Sequence, residues 1–146
     1  MRTRIVHTIL FILFSPSLFA QSLHPISLQW KEPVVGQDKT YLVFEGSGYN
    51  EKGLPIYGDI FENKKIESAF LSDVVTTPLP LEWTALIENK SALPADFEIR
   101  ITNKYANSGN YAVYEIFPFR LNNGVPEILI SATVNLEMTK SEMTVG

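Results

Sequence analysis

The chain has 146 residues, 45% hydrophobic, 12% aromatic and 19% charged, which is room for one globular domain and too apolar a composition for a disordered one. It contains no cysteine, which excludes disulfides, thiol nucleophiles and thiolate metal sites. Its formal net charge is −4, and an acidic domain lacks the basic face that nucleic-acid binding requires.

Residues 1–20 read as an export signal. Met1-Arg-Thr-Arg4 is a positive start, Ile5 to Phe14 is almost wholly apolar, and Ser15 to Ala20 closes on a small residue before polar Gln21-Ser22. The apolar run is shorter than the roughly 20 residues a spanning helix needs, so cleavage after Ala20 leaves no transmembrane segment. The expected location is the periplasm or outer surface of a Gram-negative bacterium. Losing Arg2 and Arg4 leaves ten basic against sixteen acidic residues, a balance of −6. The mature domain is expected over residues 21–137, with a polar tail over 138–146 leading to further domains.

Along the mature chain apolar residues recur at every second position between turn residues, the signature of half-buried strands. Ile26, Leu28 and Trp30 share one face until Pro33 ends the run. Leu42 and Phe44 alternate with Tyr41, Val43 and Glu45 before Gly46-Ser-Gly48 breaks the strand. Asn50-Glu-Lys-Gly53 is a turn signal, and Gly46 to Pro55 reads as a loop. Ile66 to Val75 and Ser91 to Asp96 have enough helical spacing for a turn or two of helix. Phe97, Ile99 and Ile101 oppose Glu98, Arg100 and Thr102, which is the clearest strand of the chain. Tyr105 to Asn110 is a further turn. From Asn110 to Pro118 both parities are apolar, as expected of a central strand covered on both sides. Asn122-Asn-Gly124 tolerates positive φ between Phe119-Arg-Leu121 and Glu127 to Ile130, so a hairpin is expected there. Ile128, Ile130, Ala132, Val134 and Leu136 then line one face of a final strand. The fold class is all-β, an antiparallel β-sandwich or small barrel.

No catalytic residue, cofactor site or metal site is assigned. The mature chain keeps one histidine, His24, near its start, where nothing orients it as a general base. No calcium-loop spacing of carboxylates occurs. Ser47 sits between glycines but lacks the helix and the base of a nucleophile elbow. Aromatics such as Trp30, Tyr49, Tyr57 and Tyr105 suit a sugar platform less well than a core or rim.

One ordered series goes further than composition: Trp30, Phe44-Glu-Gly-Ser-Gly-Tyr49, Leu54-Pro-Ile-Tyr57 and Ile116-Phe-Pro118. In this order, from about Leu28 to Leu136, the chain resembles the N-terminal region of the PorU family. These are gingipain-type cysteine peptidase homologues that act as surface sortases of type IX secretion in Bacteroidetes. More loosely it resembles the gingipain propeptide. Ser47-Gly48 replaces the family's alanine-containing link, and Ile56 stands where an aromatic is common. The resemblance implies a non-catalytic leading domain, since the family's catalytic cysteine and histidine lie beyond the matched region. Its implied partner is the downstream peptidase domain or another type IX secretion component, which it would help to fold, dock or cover. Trp30, Phe44, Gly46, Tyr49, Leu54, Pro55, Tyr57 and Pro118 are the candidate structural or docking residues, with Gly46 to Pro55 the candidate docking loop. The alternatives are a free-standing exported module that binds a glycan or a protein, and a peptidase inhibitor acting in trans.

Overall fold

A computed structural model of the protein describes residues 20–107 and 109–140, with Ala20 and Ala106 described by backbone alone. The expected leader before Ala20 and residues 141–146 lie outside the described residues. Among the described residues ten strands carry the fold: β1 Ala20–Ser27, β2 Val34–Val35, β3 Thr40–Tyr41, β4 Gly48–Tyr49, β5 Pro55–Glu62, β6 Lys64–Pro78, β7 Ile99–Ala106, β8 Gly109–Ile116, β9 Phe119–Asn122 and β10 Val125–Lys140. Two short 3₁₀ helices, Leu81–Leu86 and Lys90–Ala92, lie between β6 and β7.

The strands form an antiparallel sandwich, as expected. In one sheet β10 lies between β6 and β1, with β9 pairing its first residues; the other sheet runs β4, β5, β8, β7. Two of the changes of sheet occur at single residues. At Asn63, with φ of 58°, it leaves β5 for β6. At buried Pro118, which has no N–H to continue the β8 ladder, it leaves for β9.

The inter-sheet core takes Ile26 from β1, Ile66 from β6, Ala112, Tyr114 and Ile116 from β8, and Leu129, Ala132, Val134 and Leu136 from β10, with Leu28 and Phe44 from the segments beside β1 and β3. A satellite core holds Leu42, Leu79, Trp83, Ile87, Phe119 and Ile128. Trp30 packs against both. Its ring is 5.0 Å from Phe44, 5.6 Å from Phe119 and 6.1 Å from Trp83, and its Nε1 donates to the Leu129 carbonyl at 2.8 Å.

Several expectations are corrected. Ile66 to Val75 is strand, not helix: β6 carries extra residues at its register shifts against β10, and each shift swaps which parity faces the core. Ile66 points inward, then Ala69 and Leu71, so the alternation is broken in the sequence. β10 is also bulged, between Leu129 and Ser131. Ile128 and Ile130 consequently pack in the satellite core, while Leu129 joins Ala132, Val134 and Leu136 in the main one. The face expected to run from Ile128 to Leu136 is therefore split between two cores. β10 also continues to Lys140 with Met138 buried, so the first residues assigned to a polar tail belong to the sandwich.

Ser91 to Asp96 supplies only the end of the second 3₁₀ helix. The loop expected over Gly46 to Pro55 contains β4 and the first residue of β5. Leu42 and Phe44 face inward as expected, but the ladder there is one bridge, Trp30 to Phe44. β8 is central in its sheet, yet only the face of Asn110, Ala112, Tyr114 and Ile116 is buried, and its other face is half covered. The Asn122 to Gly124 hairpin forms as expected, with φ of 50° at Asn123 and 81° at Gly124, the pair of positive values that a type I′ turn needs.

Candidate functional site

Two sequence signals converge on one cleft. Tyr49 and Leu54, both expected in a docking loop, form one wall of a cleft of about 1200 Å³. The opposite wall is the 3₁₀ segment around Leu86 and Leu93. The floor is the outer face of the second sheet, with Ile56, Glu115 and Phe117.

The Tyr49 wall is built as a rigid turn. Asn50 Oδ1 accepts the N–H groups of Lys52 at 2.9 Å and Leu54 at 3.0 Å, and the Asn50 N–H donates to the Leu54 carbonyl at 2.9 Å. This is the local side-chain turn that asparagine favours. Gly53, at φ of 77°, sits beside Lys39, whose Nζ donates to the Lys52 carbonyl at 2.9 Å and lies 5.2 Å above the Tyr41 ring. Tyr41 in turn meets Tyr49 edge-on at 5.7 Å. The turn is thus held from beneath and presents Tyr49, 43% exposed, to solvent.

The opposite wall rests on Trp83 and Ile87, which pin the 3₁₀ segment into the satellite core. Leu79, Trp83 and Ile87 recur every fourth residue, the one sequence signal that could have located this wall. Prolines at 78 and 80 limit it to a short helix.

The other candidate residues lie elsewhere. Trp30 and Phe44 pack in or between the cores, and Pro55 and Pro118 are fully buried. Tyr57 faces inward, 6.2 Å from the Tyr114 ring. Gly46, at φ of 81°, is the third residue of a turn closed by the Ser47 N–H to the Phe44 carbonyl at 3.1 Å. The Ser47 hydroxyl is buried without a hydrogen-bond partner, so nothing activates it. His24 pairs with Ser22 at 2.9 Å and packs its ring on Phe61; no carboxylate is among these contacts. Burial pushes the Tyr114 phenol well above its ordinary range, helped by Tyr57 and the Asp59 carboxylate, so this hydroxyl stays protonated at neutral pH. Among the described residues no group of three His, Asp or Glu could hold a metal ion. Among them, too, no helix is long and apolar enough to cross a membrane. The cleft offers apolar contact, an exposed phenol and side chains of both charge signs.

Solved structures that align with most of the chain include two from gingipains. A chain of gingipain K from Porphyromonas gingivalis, from work on the zymogenic latency of that peptidase, aligns with a TM-score of 0.51 and 8% identity, over 87% of this chain and 91% of that one. A chain from the complex of the pro- and mature domains of Porphyromonas gingivalis RgpB aligns with a TM-score of 0.46 and 12% identity, over 86% of this chain and 84% of that one. No protein-family model matches, and no curated protein does. At 8% identity the gingipain K likeness, over 87% of the chain, concerns the fold alone.

Proposed function

We propose that this chain is a non-catalytic, propeptide-like domain that works by docking on a gingipain-type cysteine peptidase domain, its own downstream domain in a PorU-type sortase of type IX secretion. The observation that carries the reading is the fold shared with the gingipain K chain over 87% of these residues. The motif order from Trp30 to Pro118 supports the same reading. On this reading residues 1–20 direct export, and the domain acts at the periplasmic or outer face of the cell envelope. Its docking surface is expected to include Tyr49 and Leu54, which a rigid turn already holds in place, so little conformational entropy is lost on binding.

The test has two parts. An immunoblot of the source organism's envelope, with antibody against residues 21–146, is expected to show a band far larger than 16.5 kDa. Purified chain is expected to have no peptidase activity and to bind a gingipain-type peptidase domain in calorimetry. A band only of the domain's own size, together with no binding to any such peptidase domain, would sink the proposal. The open cleft favours one second reading, a free-standing binding module. Quenching of tryptophan fluorescence by a member of a glycan panel would support it.

A further inference from the structure

The long strand β6 has β10 on one side, and its other edge turns toward β7 of the opposite sheet. One rung of that edge is already filled. Asn103 Oδ1 accepts the Ile66 N–H at 2.9 Å and Asn103 Nδ2 donates to the Ile66 carbonyl at 3.0 Å, so a side-chain amide imitates a neighbouring strand.

Ladder alternation fixes which later residues point the same way. The Leu28 N–H bonds the Ile130 carbonyl, so from there on the even residues of β10 turn toward β1 and the odd ones toward β6. Ser68, Phe70 and Ser72 face those odd residues in register. The backbone groups of Ala69 and Leu71 therefore point outward, along the same edge as those of Ile66, and among the described residues no strand covers them.

Beside these two rungs the sheets part to leave a notch of about 340 Å³, with Leu71, Val74, Phe97 and Ile99 in its lining and Phe70 at its lip. Phe70 and Val75 are half exposed, an unusual load of apolar surface for an edge strand. The rim is acidic. The Asp96 side chain is 93% exposed and its nearest cation, Arg120 at 3.9 Å, is committed to Glu127 at 2.9 Å. Asp73, exposed at the β6 bulge with φ of 50°, accepts the Thr133 hydroxyl of β10 at 3.4 Å and so faces away from the notch.

We propose that this edge binds an extended segment of another polypeptide. The segment adds as a strand at Ala69 and Leu71, seats one apolar side chain in the notch, and sets a Lys or Arg side chain against Asp96. A second copy of the chain does not fit: two β6 edges paired antiparallel about Phe70 set Glu67 of one against Asp73 of the other. The inference rests on the docking reading above and deepens it, naming a face and the chemistry of the segment that occupies it.

The test uses the full 146-residue chain, isotopically labelled for NMR, and the end-blocked pentapeptide Lys-Thr-Leu-Thr-Lys. Saturable shifts are expected over Ala69 to Val75 and at Phe97, with amide exchange at Ala69 and Leu71 slowed about tenfold or more. Glu-Thr-Leu-Thr-Glu should bind about tenfold more weakly, and methylating the leucine nitrogen should abolish binding. Asp96→Lys, a change at an exposed side chain, should reverse the charge preference without altering thermal unfolding. No saturable shift, shifts confined to the cleft around Tyr49 and Phe117, or an unchanged preference in Asp96→Lys would each overturn the proposal. A peptidase domain that binds the chain regardless of Val74→Lys and Asp96→Lys would leave the docking reading standing and remove this face from it. Peptide binding at the edge without binding of any peptidase domain would do the opposite.

Discussion

The inter-sheet core and the satellite core bury comparable side chains but are assembled differently. The first collects residues two apart on facing strands, such as Ala112, Tyr114 and Ile116. The second collects Leu42, Leu79, Trp83 and Ile87 from irregular segments and 3₁₀ turns, with Phe119 and Ile128 lent by two strands. Hydrogen bonding differs in the same way. The sheets close long ladders, whereas the satellite segment relies on single turns such as the Trp83 N–H to the Pro80 carbonyl and the Ile87 N–H to the Thr84 carbonyl. The first core should therefore set global stability, and the second should open locally while positioning one wall of the cleft.

Trp30 joins the two, and removing it gives the largest expected effect. Trp30→Ala empties the space between Phe44, Phe119 and Trp83 and leaves the Leu129 carbonyl without its donor, which should cost about 4 kcal/mol in denaturant unfolding. Trp30→Phe keeps most of the ring contact and should cost about 2 kcal/mol. If both substitutions cost the same, the hydrogen bond rather than the packing joins the cores.

Trp83→Ala tests the division more directly. It should cost about 3 kcal/mol locally, so amide exchange at Ile87 and Leu93 accelerates while that at Ala112 and Ile116 on β8 stays near the global rate. Equal acceleration at all four amides would show that the cores unfold as one unit and would break the comparison.

The same contrast explains how much was legible in the sequence. The clean alternations around Ile99 and Ile26, the hairpin at Asn123-Gly124 and the inward Leu42 and Phe44 were readable because period two survives wherever a strand is unbulged. β6 was hidden because extra residues at its register shifts make Ile66, Ala69 and Leu71 look helical, and β10 was split for the same reason. Of the candidate docking residues, Tyr49 and Leu54 reach the cleft, while Tyr57 turns inward on Tyr114. Spacing alone does not say which face of a strand meets the core. Asn103 carried no signal at all, since its partner Ile66 is 37 residues away.

Asn103→Ala sharpens the comparison on the side where the sheets meet. It leaves the Ile66 N–H and carbonyl without partners at the β6 edge and should cost about 2 kcal/mol, read as a lower denaturant midpoint. Asn103→Asp keeps the acceptor for the Ile66 N–H but sets a second acceptor against the carbonyl, and should be no more stable than the alanine variant. If exchange in the 81–93 segment is unchanged in both variants, the clip belongs to the inter-sheet core alone.

The smallest effect distinguishes the inter-sheet core by pH. Burial raises the Tyr114 phenol above its ordinary value, so the folded chain holds this proton while the unfolded chain releases it near pH 10. The unfolded state then binds fewer protons, and stability falls as pH rises. The contribution is intact below about pH 10 and declines above it by about 1.4 kcal/mol per pH unit until the folded phenol itself ionises. Tyr114→Phe should remove that slope while costing about 1 kcal/mol at neutral pH, because the hydroxyl loses its neighbour Tyr57. Denaturant unfolding of both proteins between pH 8 and 11 reads the difference. Parallel curves would mean that alkaline loss comes from other groups and that Tyr114 does not keep its proton in the core.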